Sequence, residues 1–113
     1  MTGLPLWQSR IAEQGDTSTV TLAGELDLAA ADELREMLTA RIDRPDVRIV
    51  VVDIAAVDFL DSAALGALLL AYRHAADNDC EFVVTGAARG VRRLMEIAGV
   101  HGILAGTEPV PGD

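Results

Sequence analysis

The sequence predicts an α/β fold: a small mixed, mostly parallel sheet with an N-terminal hairpin and about three to four helices. Three observations carry that reading. Residues 47–53 contain Ile49-Val50-Val51-Val52, a β-branched run closed by Asp53, and such a run reads as a central parallel strand buried on both faces. Residues 18–26 alternate, with Val20, Leu22 and Leu26 on one face, the period of a strand. After these strands come segments with apolar residues at helical spacing. Strand and helix thus alternate, which implies right-handed crossovers onto a parallel sheet.

Taken in order, residues 1–5 are a loose start, and 6–13 form a strand with Trp7 and Ile11 on one face. Gln14-Gly15-Asp16 is a turn signal that joins it to strand 18–26 as a hairpin. Residues 28–44 form a helix. Its inward stripe is Ala31, Leu34, Met37, Leu38 and Ile42, with Asp32, Glu33, Arg35 and Glu36 outside. Asp27 stands where a cap is needed, acidic early turns suit the helix dipole, and Pro45-Asp46 ends the helix. A second helix spans about 62–76, with Leu65, Leu68, Leu69 and Tyr72 inward, and Asp77-Asn78-Asp79 breaks it. Residues 81–85 make a short strand. A third helix spans about 89–98, burying Val91, Leu94 and Met95, with Gly99 as a left-handed C-cap. Residues 100–105 are expected to add a final strand and 106–113 to form a frayed tail. No internal repeat or boundary divides residues 1–113, so one domain is expected.

Composition narrows the function classes. The chain has 113 residues, half of them hydrophobic but only four aromatic, so its core is built from Val, Ile, Leu and Ala. A formal net charge of −9 argues against nucleic acid, whose phosphates are held by Lys and Arg. It argues equally against an anionic membrane surface. An acidic domain of this kind suits a basic patch on another protein. Cys80 is the sole cysteine, which excludes an intrachain disulfide, fits a reducing compartment and reads as a small buried apolar residue. No signal peptide is visible, and the longest apolar run, 63–72, falls short of the roughly 20 residues a spanning helix needs. A cytoplasmic protein without membrane insertion is therefore expected. All nine basic residues are arginines, so Schiff-base, phosphate-loop and catalytic lysines are excluded.

No catalytic constellation, metal site or cofactor site emerges. A serine hydrolase needs a base beside its nucleophile, but His74 lies about three turns along the helix that Ser62 opens, and His101 sits near the C-terminus. The surrounding Leu60-Asp61-Ser62-Ala63-Ala64 lacks the glycines of a nucleophile elbow. Two separated histidines and one cysteine give no metal-ligand spacing. Gly86, Gly90 and Gly99 are too dispersed for a dinucleotide loop. Asp53, ending an apolar strand, has the place of a receiver-domain phosphoacceptor, but the lysine such a domain uses is missing. It reads better as a strand-end residue holding the following loop.

Ser62 remains. It lies at the mouth of a helix beyond the end of a buried strand, the edge of an α/β sheet where ligands and partners meet the fold. Local chemistry alone favours a capping role for it. As a modification site it is also well placed. A phosphate at a helix N-terminus meets free N–H groups and the positive dipole end, while adding about −1.5 to −2 charge beside Asp58 and Asp61. The fold would persist while the surface changed.

Three motifs resemble the STAS family, and within it the small bacterial anti-sigma factor antagonists, over residues 18–105. Gly24-Glu25-Leu26-Asp27 resembles the Gly-Glu-Leu-Asp that ends the family's second strand. Val57-Asp58-Phe59-Leu60-Asp61-Ser62, followed by Leu65-Gly66, is similar to its central motif, usually Asp-Ser-Ser-Gly-Leu-Gly. Val91-Arg92-Arg93-Leu94-Met95 with Ala98-Gly99 resembles its last helix. The resemblance implies that Ser62 is phosphorylated by an anti-sigma factor that is also a serine kinase. It further implies that a metal-dependent serine phosphatase resets the switch, and that the chain is substrate and partner, not enzyme. The implied docking surface comprises Glu25, Asp27, Asp58, Asp61, Ala63 and Ala64. Two positions depart from the pattern. Ala63 replaces a second serine and leaves Ser62 as the acceptor, and Ala64 replaces a glycine and adds a methyl group. The alternative is a non-phosphorylated STAS module serving as a subunit of a transporter or other complex. A small hydrolase using Ser62 is a third reading, disfavoured by the lack of a base within reach.

Overall fold

The computed structural model describes residues 6–106. Strand β1 (Trp7–Gln14) and strand β2 (Thr17–Leu26) lead to helix α1 (Leu28–Ile42). Strand β3 (Ile49–Leu60), helix α2 (Ser62–Asp77), strand β4 (Glu81–Thr85), helix α3 (Arg89–Ile97) and the short helix α4 (His101–Leu104) follow. One sheet of four strands has the order β1-β2-β3-β4. The β1–β2 pair is antiparallel, as the hairpin requires, while β2–β3 and β3–β4 are parallel. The expected mixed, mostly parallel sheet is therefore present. The loose start at 1–5, and all but Gly106 of the expected tail, lie outside the described residues.

Each crossover steps one strand in the same direction, so right-handed connections put α1 and α2 side by side on one face. Leu34, Leu38 and Ile42 of α1 and Ala64, Leu65, Leu68, Ala71 and Ala75 of α2 are buried there. They join Val20, Leu22, Val50, Val52, Phe82 and Val84 of the strands in one hydrophobic cluster. The alanines along α2 keep its buried stripe narrow. At the far end of the sheet, Glu13 forms ion pairs with Arg41 and Arg44, and Arg44 also pairs with Asp46. These contacts clip β1 to the end of α1.

Three expectations need correction. The central strand does not stop at Asp53 but runs to Leu60. Its alternation is interrupted by two register shifts against β2, between Thr21 and Ala23 and between Gly24 and Glu25, each inserting one extra residue into β3. Such bulges bend a strand and re-aim its side chains, which hides the strand from a period-two reading. Nor is β3 sealed on both faces: Val50, Val52 and Ile54 are fully buried, but Ile49, Val51 and Asp53 are only half-buried. Lastly, residues 100–105 do not form a strand. Gly99, at φ +76°, turns the chain as foreseen, with Val100 N–H donating to Met95 O (2.9 Å) and Gly99 N–H to Glu96 O (3.0 Å). That is a Schellman closure, and it feeds directly into α4, where Leu104 N–H donates to Val100 O at 3.1 Å. Leu104 is fully buried.

Candidate functional site

Beyond its bulges, β3 continues beside β2 until Leu26 and Leu60 lie opposite one another. The next residue of each strand is an aspartate, and each aspartate opens a helix. Asp27 and Asp61 both have extended backbone. Asp27 Oδ1 accepts from the N–H groups of Ala29 (3.0 Å) and Ala30 (3.3 Å), and Asp61 Oδ1 accepts from Ala64 N–H at 2.9 Å. These are side-chain N-caps, each worth about 1 kcal/mol, and the cap expected of Asp27 is in place. Asp61 N–H also donates to Leu26 O at 3.1 Å, so two helix mouths are locked side by side at one end of the sheet.

Ser62 is the first residue of α2, exposed, and its hydroxyl makes no hydrogen bond among the described residues. The capping role that local chemistry favours belongs to Asp61 instead. Serine at this position adds little to the helix and is free for other chemistry.

The remaining predicted residues sort by exposure. Glu25 and Asp58 are exposed, Asp27, Asp61 and Ala63 are half-buried, and all lie at this end of the sheet. Ala64, expected on the docking surface, is fully buried; its methyl belongs to the core and offers a partner nothing to touch. Gly24 shapes the rim. At φ +95°, a Cβ there would sit 2.2 Å from Leu6 O, and the same carbonyl accepts from Glu25 N–H at 2.8 Å. Only glycine permits that crossing.

Two residues escaped the sequence reading. Phe59, paired across the strands with Glu25, is 47% exposed, and Leu28, first residue of α1, is 74% exposed. Leu28 was findable, since a residue directly after a capping aspartate precedes the buried stripe that begins at Ala30. Phe59 was not, because its outward aim follows from the bulges.

The other candidates stand elsewhere. His74 pairs with Asp43 at 2.6 Å between Nε2 and Oδ1, on α2 about 18 Å of helix beyond Ser62, and His101 opens α4. Asp53 lies inside β3, not at its end, and accepts from Ala55 N–H at 2.9 Å, pinning the first bulge. Gly86, at φ +79°, passes so close that a Cβ there would lie 3.2 Å from Asp53 Oδ1. Burial holds the Cys80 thiol above its ordinary value. Among the described residues no group of three His, Cys, Asp or Glu is placed to hold a metal ion, and no helix is long and apolar enough to cross a membrane.

Residues 9–105 match the sequence model of the family described as Mlab, STAS domain. The chain belongs to the STAS domain family. The match runs from within β1 to the end of α4, including the strand ends and helix mouths just described. Among STAS relatives, the anti-sigma-B factor antagonist of Staphylococcus aureus is 32% identical over 85 residues, covering 75% of this chain and 78% of that one. The anti-sigma factor antagonist SpoIIAA in its unphosphorylated form superposes with a TM-score of 0.74 at 20% identity, over 83% of each chain. The Bacillus cell fate determinant SpoIIAA in the phosphorylated form superposes with a TM-score of 0.70 at 19% identity, over 87% of this chain and 88% of that one. The open mixed sheet is thus the STAS fold, and its bulged third strand leads into the motif that carries Ser62.

Proposed function

We propose that this chain is an anti-sigma factor antagonist. It binds an anti-sigma factor serine kinase through the sheet end that carries Ser62 and is released when that kinase phosphorylates Ser62. The single observation that carries the reading is the exposed, unengaged Ser62 hydroxyl beside a cap supplied by Asp61. The name of the Staphylococcus aureus relative supports the same class, and SpoIIAA is known in both phosphorylation states.

The physics of such a switch follows from the site. The kinase transfers the terminal phosphoryl group of its nucleotide to Ser62 Oγ, and the serine proton leaves with the kinase's base. The chain is substrate and ligand in that step and contributes no catalyst. Asp61 caps only the N–H of Ala64, so the earlier N–H groups of α2 stay open to the phosphate, and the fold tolerates it. The surface does not stay the same. A dianion beside Glu25, Asp58 and Asp61 cannot be desolvated against a partner fitted to a neutral hydroxyl without a cost of several kcal/mol. A serine phosphatase restores binding, and the exchange takes place in the cytoplasm, where sigma factors act. The contact surface comprises Glu25, Asp27, Asp58, Asp61 and Ala63 around Ser62.

The test uses the purified anti-sigma factor serine kinases of the same genome, Mg-ATP and mass mapping. The expected product carries one phosphate, on Ser62. A phosphate at another residue, or none with a kinase that binds the chain, overturns the reading.

A second reading has its own support: Ala63 and Ala64 depart from the motif of the phosphorylated antagonists. On that reading the chain is a constitutive STAS subunit of a transporter complex, and Ser62→Ala leaves its assembly unchanged.

A further inference from the structure

We propose that Leu28 and Phe59 are the apolar anchors of the sheet end that carries Ser62, and that the surface they grip is apolar at its centre and basic at its rim. The inference rests on the switch reading above and names the chemistry of its partner.

Leu28 stands to Asp27 as Ser62 stands to Asp61. Each is the first helical residue after a capping aspartate, and the strands that deliver them are paired at Leu26 and Leu60, about 4.8 Å apart. The exposed leucine and the exposed serine therefore open two helices that start side by side at this end of the sheet. Phe59 arrives from the other direction, turned outward by the bulge opposite Gly24 and Glu25. With 74% and 47% of their surfaces open, the two side chains supply apolar area that the fold itself does not use. A few side chains buried at the centre of an interface carry most of its binding energy, and an aromatic or aliphatic anchor seated in a partner's pocket is one form they take. Around them stand Glu25 and Asp58, exposed carboxylates with no ion-pair partner among the described residues. A rim of that sign recruits a basic partner and sets the association rate. The arrangement also gives Ser62 its leverage, because a phosphate at the same sheet end as both anchors would have to be dehydrated for a partner to close over them.

The experiment measures binding of the purified anti-sigma factor serine kinase, loaded with ADP, to wild type and to Leu28→Ser, Phe59→Ser and Leu70→Ser. Leu70 is the control, 56% exposed but about 12 Å along α2 from Ser62. Leu28→Ser and Phe59→Ser are expected to raise Kd about tenfold or more each, with unchanged circular dichroism, and to raise KM for Ser62 phosphorylation while kcat holds. Leu28→Met and Phe59→Leu, which keep apolar area, retain binding. Glu25→Gln with Asp58→Asn slows association and flattens its salt dependence. If the kinase binds Leu28→Ser and Phe59→Ser as tightly as wild type, the anchors are refuted while the switch stands. An equal loss in Leu70→Ser refutes them too, since any apolar surface would then suffice. A salt dependence unmoved by Glu25→Gln with Asp58→Asn refutes the basic rim. A kinase that neither binds nor phosphorylates the wild type takes down the switch reading, and the anchors with it.

Discussion

Asp61 gives its backbone N–H to the Leu26 carbonyl at 3.1 Å while its side chain holds Ala64 N–H at 2.9 Å. One residue thus ties the mouth of α2 to the end of β2 and caps the helix. Its neighbour Ser62 is left with neither duty. That division of labour leaves the Ser62 hydroxyl out of the helix cap.

The division predicts opposite results for adjacent substitutions. Asp61→Ala removes the side-chain cap and is expected to lower stability by about 1 kcal/mol, read as a shift in the urea midpoint at constant slope. Asp61→Asn retains an acceptor and most of that stability. Ser62→Ala leaves the midpoint within about 0.5 kcal/mol of wild type. A large loss in Ser62→Ala would show that the hydroxyl, and not the Asp61 carboxylate, secures the helix.

On the binding side, Ser62→Asp places a carboxylate where the phosphate would sit. It is expected to weaken kinase binding by tenfold or more, about 1.4 kcal/mol, with the circular dichroism spectrum nearly unchanged. Ser62→Ala still binds. Titration calorimetry with the purified kinase and ADP checks both, and equal affinity of the two variants would show that charge at this position does not govern docking.

Much of this site is legible in the sequence. Asp27 as a cap, Gly99 as a left-handed stop and the alternation of strands with helices follow from local chemistry that tertiary packing only ratifies. The misreadings share another cause. Asp53 resembles a strand end because the apolar alternation fails there, yet it fails through inserted residues whose pairing with β2 continues. A bulge is a relation between two strands, and no single strand's sequence displays it. Phe59 was overlooked for the same reason. Residues 100–105 resemble a strand by composition, but Gly99 delivers them into a turn too tight for extension.

Gly24 is the rim's least replaceable residue. Its φ of +95° and the 2.2 Å approach of a Cβ to the Leu6 carbonyl compound each other: the backbone is strained for any L side chain, and the obstacle is main chain that cannot rotate aside. Gly24→Ala is expected to cost about 2 kcal/mol or more, with loss of the Glu25 N–H bond to Leu6. Hydrogen exchange at Glu25, protected in wild type and fast in the variant, locates the damage. Unaltered protection would mean that the start of β1 is not fixed against this rim.

Cys80 yields a pH prediction of definite sign. Its thiol is held above the ordinary value chiefly by burial, with a backbone hydrogen bond involving Val50 acting in the opposite sense and the Glu81 carboxylate adding to the rise. The folded chain therefore keeps the thiol proton at a pH where the unfolded chain has lost it. Stability rises with pH only where the unfolded state binds more protons, and here it binds fewer. The contribution is complete below the ordinary thiol range and is lost progressively as pH rises from there through the folded value. Urea midpoints of wild type should fall across that alkaline window more steeply than those of Cys80→Ala, in which nothing titrates at this position. Native Cys80 should also resist a thiol-disulfide reagent until denaturant is added, because the thiolate is the reactive form and both burial and proton retention suppress it. Parallel pH profiles for the two proteins, or rapid native labelling, would place the sulfur outside the core that the packing of β4 assigns to it.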